Sequence, residues 1–120
     1  MKTIDHSNFF AELHGEQLSS VVFVQDYLQL FFDGPGINVT NPLCVETNEN
    51  RITSWETGFR DLLCLQIAKR VEKTQCVEGD ALMIGFHDGS KISVSLKPED
   101  YTSAEAIYAH GFKDHRSYVA

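Results

Sequence analysis

Tyr27-Leu28-Gln29-Leu30-Phe31-Phe32-Asp33-Gly34-Pro35-Gly36-Ile37-Asn38-Val39-Thr40 reads as two strands joined by a turn. Leu28, Leu30 and Phe32 share one face, because successive side chains of an extended chain point to opposite sides. Asp33-Gly34-Pro35-Gly36 cannot continue either strand: glycine supplies the positive φ of a tight turn, and proline removes a backbone donor. Beyond it, Ile37 and Val39 resume the alternation. Upstream, Leu18 to Val24 is rich in β-branched residues and stops at Gln25-Asp26, which completes a three-stranded antiparallel meander. Before the meander, Asp5 to Gly15 predicts a short helix. Asp5 or Ser7 caps it, Phe9, Phe10 and Leu13 form its apolar face, and Gly15 is the left-handed stop.

The same order recurs. Thr57 to about Arg70 predicts an amphipathic helix in which Phe59, Leu62, Leu63, Ile67 and Val71 form a stripe that Cys64 and Leu65 widen. Asp61 in its first turn and Lys69-Arg70 in its last carry the signs that the helix dipole favours. Strands follow at Val71 to Val77, Leu82 to Phe86 and Ile92 to Leu96, separated by Glu78-Gly79-Asp80 and His87-Asp88-Gly89-Ser90. Leu18 matches Val71 at an offset of 53, Leu28, Leu30 and Phe32 match Leu82, Ile84 and Phe86 at 54, and Asp33-Gly34 matches Asp88-Gly89 at 55. The small drift falls in turns, so the hydrophobic register survives. The expectation is a single α+β domain over residues 1–120, built from two pseudo-repeats at about 5–40 and 57–97, each a helix followed by a three-stranded antiparallel meander. Between them, Leu43-Cys44-Val45 is a candidate strand, and Ile52 to Trp55 is a short strand or the approach to the helix. Residues 98–120 form a C-terminal extension. There Thr102-Ser103-Ala104-Glu105 reads as a capping box before a short helix at Ala106 to Ala109, and Ser117-Tyr118-Val119 reads as an edge strand.

Composition narrows the function classes. At 120 residues the chain has the size of one domain, and 42 % hydrophobic with 22 % charged residues argues against wholesale disorder. Ten Lys+Arg against 17 Asp+Glu give a net charge of −7. That balance argues against nucleic acid and against an anionic membrane surface as partners. No apolar run approaches a membrane span, and Met1 to His6 lacks the apolar core of a signal peptide. Three cysteines at unrelated spacings fit neither a disulfide framework nor a zinc knuckle, and a cytoplasmic protein without a cofactor is expected. The charge is uneven: −4 in residues 1–40, −2 in 41–80 and −1 in 81–120. An acidic face for a protein partner with a basic surface is therefore expected on the first unit, at Glu12, Glu16, Asp26 and Asp33.

Each group with reactive chemistry also has a structural reading. Asp33-Gly34 and Asp88-Gly89 would make a carboxylate pair, but Asp-Gly is a favoured hairpin turn. His87 beside Asp88 is a candidate base, although neighbours in a strand point to opposite faces. His110 and His115 flank Asp114 in the densest set of metal-type ligands, at a spacing wrong for one helix face; His6 or His14 would have to complete it. Cys64 reads as a small buried hydrophobe, Cys76 lies in a strand, and Cys44, in a loop or edge, is the more accessible thiol. Trp55, Phe59, Tyr101 and Tyr108 would line a ligand site or fill the core. Asn38-Val39-Thr40 has the form of a glycosylation acceptor but reads as strand. Gly34-Pro35-Gly36 joins strands and precedes no helix, so it is no phosphate loop. There is no P-loop, dinucleotide fingerprint, nucleophile elbow or protease zinc motif.

The run Leu13 to Val21, followed by Tyr27 to Gly34, Phe86 to Val94 and Pro98-Glu99-Asp100, resembles a group of small, functionally uncharacterised, β-rich bacterial proteins. The resemblance covers about residues 13–100, and its motifs are strands and turns. Some such proteins resemble polymorphic-toxin immunity proteins, which bind and block a toxin; no functional residue carries over from them. The leading expectation is a non-catalytic binding module, with homo-oligomerisation through a strand edge or helix face. One alternative is an immunity-type inhibitor of a basic toxin. The other is a small-ligand or metal-dependent enzyme using His87, His110 or Asp114.

Overall fold

The computed structural model describes residues 5–120; Met1 to Ile4, the start of the segment read above for a leader, lie outside the described residues. A single α-helical turn, α1 (Ser7–Phe10), continues as a 3-10 turn at Ala11–Leu13. Then come β1 (Ser20–Phe23), β2 (Leu28–Phe31), β3 (Gly36–Val39), β4 (Leu43–Glu46) and β5 (Arg51–Thr53). The helix α2 (Phe59–Cys64) precedes β6 (Val71–Val77), β7 (Ala81–Phe86), β8 (Lys91–Ser95), β9 (Ile107–His110) and β10 (Tyr118–Val119). Among the described residues the ten strands fall into two five-stranded antiparallel sheets, ordered β1-β2-β3-β9-β10 and β5-β4-β8-β7-β6.

This architecture corrects the α+β expectation of two helix-plus-meander repeats. Strands hold 40 % of the described residues and helices of every kind 16 %, so these residues are mostly β with one helix of more than a turn among them. The strands of both meanders form where alternation placed them, but neither meander closes on its own helix. The β4-β5 hairpin leaves the first and pairs with β8, while β9 returns to pair with β3 and β10 adds to β9 as the edge. α1 lies against β6, where His6 N donates to Cys76 O at 2.7 Å and Cys76 N to Ser7 Oγ at 2.9 Å. α2 lies against β1, β4 and β5. Inward residues of both sheets, including Leu30, Ile37, Val39, Ile107, Leu43, Ile84, Ile92 and Val94, join Phe10, Leu13, Phe59 and Leu63 in one core.

The helices are short because of a long-range pairing. The segment Gly15 to Leu18 runs antiparallel to Ala68 to Val71. Leu18 N donates to Lys69 O at 3.1 Å, Ala68 N to Leu18 O at 2.8 Å and Val71 N to Glu16 O at 2.9 Å. The chain must leave α2 early to reach this seam, and Ala68 takes φ 79° in doing so. Leu65 and Ile67, assigned above to the apolar stripe, are consequently exposed, and Cys64 at the helix end is exposed rather than buried. The expected helix at Ala106 to Ala109 is instead the entry to β9. Ser103 turns the chain by bonding the Glu105 backbone, after which Ile107 and Ala109 point inward and Tyr108 and His110 outward.

Leu18 is fully buried in the seam. Leu18→Ala is expected to cost about 2–5 kcal/mol, the range for a buried leucine truncated to alanine, measured as the change in urea unfolding free energy. A loss under about 1 kcal/mol would show that the seam is not part of the cooperative core.

Candidate functional site

The histidines and carboxylates do not converge on one centre. His87, exposed at the end of β7, has Nδ1 3.6 Å from Glu72 Oε2. His110, on β9, has Nε2 3.2 Å from Asn38 Oδ1. Asp114 and His115 lie in a 3-10 turn near His110, both at positive φ, and share an open depression with it. His14 Nε2 meets Thr74 Oγ1 at 3.0 Å, and His6 stands beside Glu78 and the Tyr118 ring. Among the described residues, no three His, Cys, Asp or Glu side chains gather as ligands for one cation. Cys76 is buried against the Tyr118 hydroxyl, and burial pushes its thiol up to about 11, away from the thiolate needed for reactivity. Both Asp-Gly pairs make turns: Asp33 takes φ 51°, and Asp88 Oδ1 accepts from Ser90 N at 2.9 Å.

The second of these turns anchors a polar cluster under the end of α2. Lys69 Nζ lies 2.7 Å from Asp88 Oδ2, 2.9 Å from Gln66 Oε1 and 3.2 Å from Ser90 Oγ. Gln66 is fully buried, and its Nε2 donates to Leu62 O at 3.0 Å. A serine beside a lysine resembles a Ser-Lys nucleophile pair, which requires a neutral lysine as base. Here Asp88 forms an ion pair with Lys69, and its carboxyl is held well below the carboxylate range, first by Lys69 and then by Ser90. Ser90 is buried as well, so the cluster ties the hairpin turn to α2 rather than activating a hydroxyl.

The most exposed aromatic chemistry is at the β5-α2 corner. Trp55 is 54 % exposed at φ 68°, a conformation that bulky residues rarely adopt. Its neighbours hold it there. Ser54 Oγ accepts from Leu43 N at 2.7 Å, Glu56 Oε1 accepts from Thr53 N at 2.8 Å, and Glu56 N donates to Thr53 O at 3.1 Å. The indole meets the edge of buried Phe59 at 5.6 Å and Phe23 of β1 at 6.5 Å. The Arg60 guanidinium lies 5.4 Å from the Trp55 ring centre and 5.9 Å from that of Phe23. Two open depressions flank this group, one along Trp55 to Asp61 and one lined by Phe23, Val24, Gln25, Trp55 and Arg60. Glu56 and Asp61 lie on the first, and Asp26 follows Gln25 of the second.

The four aromatics singled out in the sequence therefore separate. Phe59 is core, Tyr101 packs against the core, Tyr108 is exposed on the first sheet, and Trp55 is exposed at the corner. The acidic candidates separate too. Glu12 is engaged within the chain, accepting from Lys113 N at 2.8 Å and pairing with Arg116 at 2.9 Å. Glu16 is half-buried in the seam, while Asp26 and Asp33 are exposed at opposite ends of β2. Phe23 and Arg60 were not singled out, because nothing local in either segment signals that they meet over one indole. Compared with protein-family models, curated proteins and solved structures, the chain matches none.

A carboxyl depressed in the folded state adds stability above its unfolded value near pH 4, and loses that contribution as pH falls toward the folded value. Asp88→Asn is thus expected to lower stability at neutral pH, by about 1 kcal/mol or less because the side chain is half exposed to screening solvent. Urea unfolding from pH 7 to pH 2 should show the gap between variant and wild type closing below about pH 4. A gap that does not change with pH would remove Asp88 as its source.

Proposed function

We propose that this chain is a non-catalytic interaction module that binds a protein partner presenting a basic surface, with Trp55 at the centre of contact. The observation that carries this reading is an indole half open to solvent, held at positive φ by bonded neighbours and stacked with Arg60. Tryptophan and arginine are enriched among the residues that dominate binding energy, because each offers a large, stiff contact at small entropic cost. The depressions beside the indole could seat apolar side chains of the partner. Asp26, Glu56 and Asp61 outnumber Arg60 around them, and the net charge of −7 steers a cationic partner toward the chain. Blocking a basic toxin, as an immunity-type inhibitor does, is one form this binding takes.

Trp55 is the only tryptophan, so its emission reports directly on this corner. Titration with a Lys- and Arg-rich peptide carrying one leucine is expected to shift that emission saturably, and the shift should weaken with added salt. The triple substitution Asp26→Asn, Glu56→Gln, Asp61→Asn should weaken binding about tenfold, and Trp55→Ala, followed by anisotropy of the labelled peptide, by about thirtyfold or more. Unmoved emission, or equal binding by both variants, would sink the proposal.

A further inference from the structure

The two sheets differ in a way that composition conceals. No strand of the β1-β2-β3-β9-β10 sheet contains Asp, Glu, Lys or Arg, whereas the other sheet carries Glu46, Arg51, Glu72, Lys73 and Lys91 in its strands. On the outward face of the charge-free sheet, the register sets Val22, Gln29, Asn38, Tyr108 and Val119 in one row across all five strands. Val22, Tyr108 and Val119 in this row are 40 %, 39 % and 51 % exposed, so half of the exposed large hydrophobics among the described residues share a single line. The adjacent row sets Phe31 and His110 on either side of Gly36. A Cβ at Gly36 would come within 2.7 Å of His110 and 3.0 Å of Phe31, so glycine there lets both rings lie close over β3 and keeps the face flat.

We infer that this face binds a second copy of the chain, face to face, about a twofold axis. Charge selects the occupant. Two copies carrying −7 each repel wherever their carboxylates are opposed, and this face lets them meet with no strand charge between them. A basic or acidic partner would find no opposite charge in these strands. The face is also self-complementary: its apolar side chains match their own copies, and amides are both donors and acceptors. Asn38 Oδ1 accepts from Gln29 Nε2 at 3.1 Å and faces His110 Nε2. That leaves, among the described residues, the Asn38 Nδ2 donor and the Gln29 Oε1 acceptor for the opposing copy. Four strands of four residues and one of two, about 4.8 Å apart, outline roughly 300 Å² in projection. This is well short of the ~800 Å² per partner of tight complexes, so the dimer is weak and forms at high micromolar concentration. The inference is independent of the Trp55 corner, which involves different residues.

Sedimentation velocity of the full chain from about 10 µM to about 1 mM tests it. The weight-average mass should climb from 13.5 kDa toward twice that value. Tyr108→Lys, at an exposed position, should raise the dissociation constant at least tenfold with an unchanged circular dichroism spectrum and Tm. Leu65→Lys, an equally surface-placed change outside the sheet, should leave it unaltered. Amide exchange should slow at Gln29, Asn38 and Tyr108 as concentration rises. A mass fixed at 13.5 kDa throughout would overturn the inference. So would a dimer that Leu65→Lys disrupts and Tyr108→Lys does not.

Discussion

Main-chain pairing of β3 with β9 and of β4 with β8 is the constraint on which the rest of this molecule depends. Each ladder is antiparallel over four residues, and each joins strands from opposite halves of the chain, Gly36 facing His110 and Leu43 facing Val94. Without them β3 and β8 would be edges of small three-stranded sheets, with open backbone groups and half-covered apolar faces. With them the inward side chains of both sheets close into one core. The loop-closure cost of such distant contacts grows only logarithmically with separation, so they are affordable in free energy, though they slow folding.

The exchange of strands also decides what the surface offers. It gathers the uncharged strands into one sheet and leaves three of the strand charges of the other, Glu46, Arg51 and Lys91, in ion pairs with one another. It brings β1 beside α2, so that Phe23 and Arg60 meet over Trp55. The same seam that fixes β1 shortens α2 and turns Leu65 and Ile67 outward. The polar cluster of Lys69, Asp88, Ser90 and Gln66 then locks the end of α2 to the β7-β8 turn.

Much of the strand content was legible. Leu28-Leu30-Phe32, Leu82-Ile84-Phe86 and Ile92-Val94-Leu96 alternate cleanly, and each run lies where period two puts it. The helices were over-read because the Phe59-to-Val71 stripe has helical spacing, yet nothing local reveals that Ala68 must bond Leu18. Residues 106–109 follow the capping-box pattern of Thr102 to Glu105, which pointed to a helix, and the long-range partner β3 selected a strand instead. Of the candidate site, Trp55 was visible as an aromatic near a helix start. Its exposure, its positive φ and its two companions were not.

By itself the sequence determined the local periods, the positions of the tight turns, the acidic balance and the absence of familiar catalytic motifs, because each of these depends on neighbours within a few residues. Tertiary structure decided which strand pairs with which, where the helices end, which face lacks charge and which aromatic stays open to solvent. The physical reason is that a strand's hydrogen-bonding groups accept any partner of the right geometry. Alternation sets which side chains point inward but leaves the choice of neighbouring strand to the packing of the whole core.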